Sequence, residues 1–143
     1  MKRFFFLSVF LAVGIDFVCQ HGQSQEQKGL QELMQRKLKH SQKVLEGLAL
    51  KNFDLIAANA EELVLVSKTT EWKVVKTPKY ELYSNEFRRN AEEMIQKAKE
   101  KNLDGAALAY VDMTLNCIKC HKYVRDVRMT KLEKNTRLDH ELD

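Results

Sequence analysis

The sequence predicts an all-α domain, an antiparallel four-helix bundle. Apolar residues return every three or four positions through four separate stretches, as a buried helical stripe requires. Breakers are scarce, with 5 Gly and 1 Pro in 143 residues, so long helices are allowed. No stretch alternates polar and apolar residues between hairpin turns, and no solenoid repeat occurs.

The first helix is expected from Gly29 to about Leu50. Its stripe is Leu30, Leu33, Met34, Leu38, Leu45 and Leu48, against a face of Gln, Arg and Lys. Asn52 or Asp54 can cap a second helix running to about Lys68. Its stripe is Phe53, Ile56, Ala57, Ala60, Leu63, Val64 and Ser67. Thr69 to Thr77 holds Trp72, Val74 and Val75 without periodicity and reads as a connection across one end of the bundle. Thr77-Pro78 starts the third helix, because Thr caps and Pro suits the first helical position. Tyr80, Phe87, Ala91, Met94, Ile95 and Ala98 are its inward residues. After the turn at Asn102-Leu103-Asp104-Gly105, the fourth helix places Ala107, Leu108, Val111, Leu115 and Ile118 on one side and ends near Arg128. Four such helices with short links make an antiparallel bundle. Residues 25–128 are its extent, and 129–143 are a tail with charges of both signs, for which helical continuation and disorder are both open.

Residues 1–24 read as a signal peptide. Met1-Lys2-Arg3 is a basic start, Phe4 to Gly14 an apolar run, and Gly22 and Ser24 small residues near the expected cleavage point. The run is too short to span a bilayer, and no other segment is apolar enough to enter one. An exported, periplasmic protein with no membrane span after cleavage is therefore expected. Lipidation through Cys19 is disfavoured, because Asp16-Phe17-Val18 lacks the small residues such processing needs. The net charge is +4, too small a surplus to argue for nucleic acid. Nor is an enzyme expected. There is no Gly-rich phosphate loop, nucleophile elbow or metal-ligand cluster outside the motif below.

That motif is Cys117-Ile118-Lys119-Cys120-His121. Two thiols three positions apart lie on one side of a helical turn. Each can add to one vinyl group of a porphyrin, and His121 can offer its imidazole to the iron. This spacing signals covalent attachment of c-type haem. Cys117 and Cys120 are the only cysteines left once residues 1–24 are removed. A thioredoxin-like reading lacks its βαβ context. A structural zinc site lacks ligands, with only His40 and His140 elsewhere in the folded region. A disulfide across CxxC is strained.

With these residues in place, the chain resembles the cytochrome c′ family over about residues 30–128. CxxCH lies on the fourth helix near the end of the chain, and Tyr123 and Arg125 follow it. Thr77-Pro78-Lys79-Tyr80, with Phe87 beyond, is similar to the family's Pro-x-x-aromatic start, with Tyr80 where Trp is usual. Leu33-Met34 lies on the first helix. The resemblance implies a cytochrome c′-like bundle holding one covalent haem c on Cys117 and Cys120, its iron bound by His121. It also admits a homodimer. In the low-spin branch a Met on the first helix is the sixth iron ligand, and Met34 is the candidate. In high-spin members an apolar residue blocks that face.

Two haem functions stay open. Met34 and His121 as axial ligands imply electron transfer with redox partner proteins, because both axial sites are filled. If Met34 does not ligate, a five-coordinate iron implies binding of a gas such as nitric oxide or carbon monoxide. A third reading is an exported helical interaction protein without haem. Met94 is expected in the core, neither Met94 nor Met113 is expected to ligate iron, and His40 and His140 are expected in solvent. Trp72 covers a haem edge or plugs the bundle end. Arg88, Arg89, Lys68 and Lys73 are candidate propionate partners.

Overall fold

A computed structural model describes the backbone of residues 2–69, 72 and 74–141. Side chains are described from residue 25 onward within those limits, except residues 26, 132, 133 and 135–141. Four helices follow one another: α1 (Lys2–Ala49), α2 (Phe53–Val66), α3 (Pro78–Lys99) and α4 (Leu103–Glu141). Among the described residues there is no strand, and the expected four-helix bundle is the fold. Each helix packs along its neighbour in sequence, while α1 and α4 meet far less.

The two outer links are built alike. After α1, Lys51 takes a left-handed backbone with φ of 53°. After α3, Lys101 does the same with φ of 54°. Lys51 N–H then returns to Leu48 O and Asn52 N–H to Gly47 O, at 3.2 and 2.8 Å. Lys101 N–H returns to Ala98 O and Asn102 N–H to Lys97 O, at 3.0 and 2.9 Å. These are Schellman closures, which satisfy the last helical carbonyls. In both links the next residue is Asn, and it caps the following helix. Asn52 Oδ1 accepts from Leu55 N and Asn102 Oδ1 from Gly105 N. Each turn thus reverses the chain in three or four residues, which makes the paired helices antiparallel. Thr77 caps α3 through Tyr80 N, with Pro78 at the first helical position, as expected.

Helices α2 and α3 bury the stripes read from the sequence. Ile56, Ala60, Leu63 and Val64 are buried on α2, and Tyr80, Phe87, Ala91, Met94 and Ala98 on α3. Helices α1 and α4 differ. On α4 the buried residues are Ala106, Ala109, Met113 and Asn116, whereas Leu108, Val111, Leu115 and Ile118 are exposed. On α1 Leu33, Lys37 and Val44 are buried, and Leu38 and Leu45 are exposed. Small side chains let α4 approach α3 closely. The larger apolar residues that suggested an inward stripe lie on the opposite side.

The backbone of residues 2–24 continues α1, but side chains of the expected signal segment, Cys19 among them, lie outside the described residues. No helix among the described residues is long and apolar enough to cross a membrane. Helix α4 runs on past Arg128 to Glu141, so the tail continues the helix, one of the two outcomes the sequence leaves open. The side chain of His140 lies outside the described residues.

Candidate cofactor site

The motif sits midway along α4. Relative to the buried Met113, Cys117 and Cys120 fall within about 40° of the core direction at 100° per residue, and His121 about 80° to one side. Cys117 and Cys120 are half-buried free thiols packed against the core. Cys120 and His121 open onto a cleft of about 190 Å³ whose far wall is α1, with Leu30, Met34 and Lys37. Trp72, Val74 and Tyr80 close one end, and Arg125 and Arg128 flank it from α4. Thus Met34, half-buried on α1, faces the same space as Cys120 and His121.

The Trp72 end is held by hydrogen bonds. Trp72 Nε1 donates to Ser84 Oγ at 2.9 Å, and Ser84 Oγ donates to Tyr80 O at 2.9 Å. Tyr80 Oη donates to Trp72 O. Trp72 is buried and its ring lies 5.1 Å from that of Phe87. It therefore both plugs the bundle end and lines the cleft. On α4, Tyr123 Oη and Thr77 Oγ1 are 2.8 Å apart, tying the segment after the motif to the cap of α3.

Lys37 was not singled out from the sequence. Its ammonium lies 4.7 Å from the Trp72 ring centre and 4.4 Å from that of Phe87. No carboxylate pairs with it among the described residues. Aromatic faces supply part of what water would have given this charge. Only the three-dimensional placement of Trp72 and Phe87 reveals this role, because a lysine on a helix ordinarily reads as surface.

Electrostatics follow from burial and this cation. Burial pushes the Cys120 thiol above its usual range, partly offset by Lys37. Burial also pushes His121 down, and Lys37 and Arg125 add to it. His121 is therefore neutral at neutral pH and keeps a lone pair for a metal. Tyr80 is pushed up to about 12, chiefly by burial.

The residues fit a c-type haem. Two thiols and an imidazole sit on one helix with a thioether across the cleft, and Lys37, Arg125 and Arg128 suit two carboxylates. The cleft is smaller than the roughly 300–1,000 Å³ of a pocket that engulfs its ligand, so covalent attachment is what such a site needs. Among the described residues no group of three or more His, Cys, Asp and Glu is gathered to hold a bare metal ion. Several residues considered for other roles lie elsewhere. His40 is half-buried rather than solvated, with Nδ1 3.0 Å from Asn59 Oδ1 on α2. Arg88 donates to Ser67 O at 3.3 Å, and Arg89 lines a separate cleft between α3 and α4. Lys73 lies outside the described residues. Met94 is a core residue, as expected, and Met113 is buried too, on the side of α4 opposite the stripe read from the sequence.

No protein-family model and no curated protein matches the chain. Solved structures do. A structure titled cytochrome c′ superposes with a TM-score of 0.60 at 17% identity, covering 70% of this chain and 94% of that one. A nitric oxide complex of a mutant cytochrome c prime from Alcaligenes xylosoxidans gives 0.57 at 18%, covering 68% and 90%. Cytochrome c′ from Rubrivivax gelatinosus gives 0.54 at 13%, covering 65% and 88%. At these identities the likeness establishes the fold: this chain has the four-helix fold of the cytochromes c′.

Proposed function

We propose, from that fold and the CxxCH motif, that the chain is an exported c-type cytochrome of the cytochrome c′ family, a carrier of electrons rather than an enzyme. One haem is held by thioether bonds from Cys117 and Cys120, formed as each S–H adds across a vinyl double bond. His121 would supply an imidazole nitrogen to the iron, and Met34, from α1, would supply a thioether. The observation that carries this reading is Met34 facing the same cleft as Cys120 and His121 from the opposite helix.

When bound, the haem supplies a one-electron couple between ferric and ferrous iron. His121 arrives neutral, so no proton need leave for it to ligate. Met34 would offer its thioether to the iron and so leave no position for a ligand from solution. Lys37 is one helical turn beyond Met34. Its fixed charge disfavours the ferric state, which carries one more positive charge, and so raises the potential. Trp72 and Tyr80, held by their hydrogen bonds, keep that end of the site unchanged between the two states.

Gas binding is the second reading. It draws support from the apolar Leu30 and Val74 beside Met34, and from the fold shared with a nitric oxide complex. If Met34 packs beside the iron instead of ligating it, a neutral diatomic gas takes the open position.

Expression with haem-maturation machinery tests both. Haem should survive acid–acetone extraction, and loss of all absorbance on extraction would sink both readings. The ferrous protein should show a sharp low-spin α band. Met34→Ala should convert it to a high-spin form that binds carbon monoxide. A wild-type protein already high-spin, and unchanged by Met34→Ala, would reject electron transfer in favour of gas binding.

A further inference from the structure

A buried lysine on one wall of the cleft has no part in holding the cofactor through Cys117, Cys120 or His121. Lys37 is only 9% exposed. Lysines are almost never buried this far unless something meets their charge. Here the ammonium lies over the faces of Trp72 and Phe87. Those rings are held in place, because Trp72 Nε1 bonds Ser84 Oγ and the two rings pack 5.1 Å apart. Ring faces attract a cation but leave its three N–H donors able to take an acceptor. Among the described residues no carboxylate pairs with it.

The rest of the cleft sets this charge apart. Its other ring donors are committed, Trp72 Nε1 to Ser84 Oγ and Tyr80 Oη to Trp72 O. Leu30, Met34, Val74 and Val124 make the wall around it apolar, and no carboxylate is among the described lining residues. A charge in such surroundings is screened less than one at the surface. Lys37 stands one helical turn from Met34, on the wall facing His121, and its charge is felt at both Cys120 and His121. Arg125 and Arg128, on the α4 side, remain for the carboxylates of the cofactor.

A neutral diatomic gas gains little from an ammonium. A small anion gains the attraction and a charge-assisted hydrogen bond. We infer that Lys37 makes the α1 side of the cleft a receiving site for small inorganic anions, which take the iron position opposite His121 with their charge met by its ammonium. No electron moves: the anion donates a lone pair to ferric iron, and where Met34 is bound its thioether leaves neutral. The inference rests on the haem attachment proposed above, and it holds whether Met34 ligates or only packs beside the iron.

Azide is the probe, titrated into the purified ferric haem-loaded chain and followed by its optical spectrum. Carbon monoxide, titrated into the ferrous form, is the neutral reference. Met34→Ala opens the position in every protein compared. On that background Lys37→Met removes the charge and keeps the reach of the side chain. It should raise the azide dissociation constant about tenfold or more, while the carbon monoxide constant moves less than about threefold. Lys37→Arg should keep most of the azide affinity. Equal losses for azide and carbon monoxide would show that Lys37 only packs, and would overturn the inference. Azide binding indifferent to Lys37→Met would overturn it too, as it would if the ammonium were spent on a haem carboxylate. A chain without extraction-resistant haem fails before any anion is added, and overturns the cytochrome reading and the inference together.

Discussion

Gly47→Ala tests how closely α1 and α2 approach. Alanine inside a helix is ordinarily a gain of about 1 kcal/mol over glycine. Here a β-carbon would lie 2.8 Å from Ile56 Cγ1, 3.1 Å from Ile56 N and 3.2 Å from Asn52 O. The first contact is with a side chain that is completely buried and has no free space to turn into. The other two are with backbone atoms. Asn52 is further fixed by its own N–H, which bonds Gly47 O at 2.8 Å. Over-packing of this kind costs about 1–3 kcal/mol. The steric cost exceeds the propensity gain, and a net loss of about 1–2 kcal/mol is expected. For a chain of this size that lowers Tm by roughly 3–10 °C. Thermal unfolding followed by circular dichroism measures the shift, and urea unfolding should show a lower midpoint with an unchanged slope. A variant as stable as the parent, or more so, would refute the claim that the helices touch backbone to backbone at Gly47.

Two further outcomes follow from positions already described. Lys101→Gly relieves a left-handed backbone at a residue with a β-carbon and should stabilise the protein by about 0.5–1 kcal/mol in urea titrations, net of glycine's larger unfolded-state entropy. Tyr80 ionises near 12 when folded against a reference of 10. Its folded pKa is raised, so its contribution is complete below pH 10 and is lost as pH rises from 10 towards 12. After allowance for screening this is about 1–2 kcal/mol. The difference in stability between the parent and Tyr80→Phe should therefore shrink across that window, and a constant difference would show that burial of the hydroxyl is not what shifts it.

The sequence and the structure agree most where a helix has neighbours on both sides. Helices α2 and α3 each bury the stripe read from the sequence, and the large apolar residues outside it, Leu65 and Leu82, are exposed. Helices α1 and α4 carry two apolar directions apiece. On α4, Ala106, Ala109 and Met113 make the buried one, and the bulkier Leu108, Val111, Leu115 and Ile118 make the other. Hydrophobicity alone favours the bulkier set, whereas close packing against α3 favours the smaller. The thiols and His121 were legible because attachment chemistry fixes their spacing along the chain. Met34 gained its place through likeness to a family, and the structure puts it on the wall facing His121. Lys37 was illegible, because nothing local distinguishes it from the other lysines of α1. Its partners Trp72 and Phe87 come from a loop and from α3.

The sparse meeting of α1 and α4 bears on how the protein is assembled. Among the described residues, the hydrogen bond between them is a long one, Ser41 Oγ donating to Tyr110 Oη at 3.4 Å. By contrast, α3 and α4 are held by close packing and by Asn116 Nδ2 donating to Tyr83 O at 2.8 Å. Separating α1 from α4 therefore breaks little between them and widens the cleft onto which Cys120 and His121 open, while the α3–α4 hairpin keeps its own contacts. If haem is attached as proposed, the sparse α1–α4 seam would be the route by which it reaches Cys120 and His121. A haem held there would add contacts between two helices that hardly touch among the described residues, and so would contribute to closing the bundle.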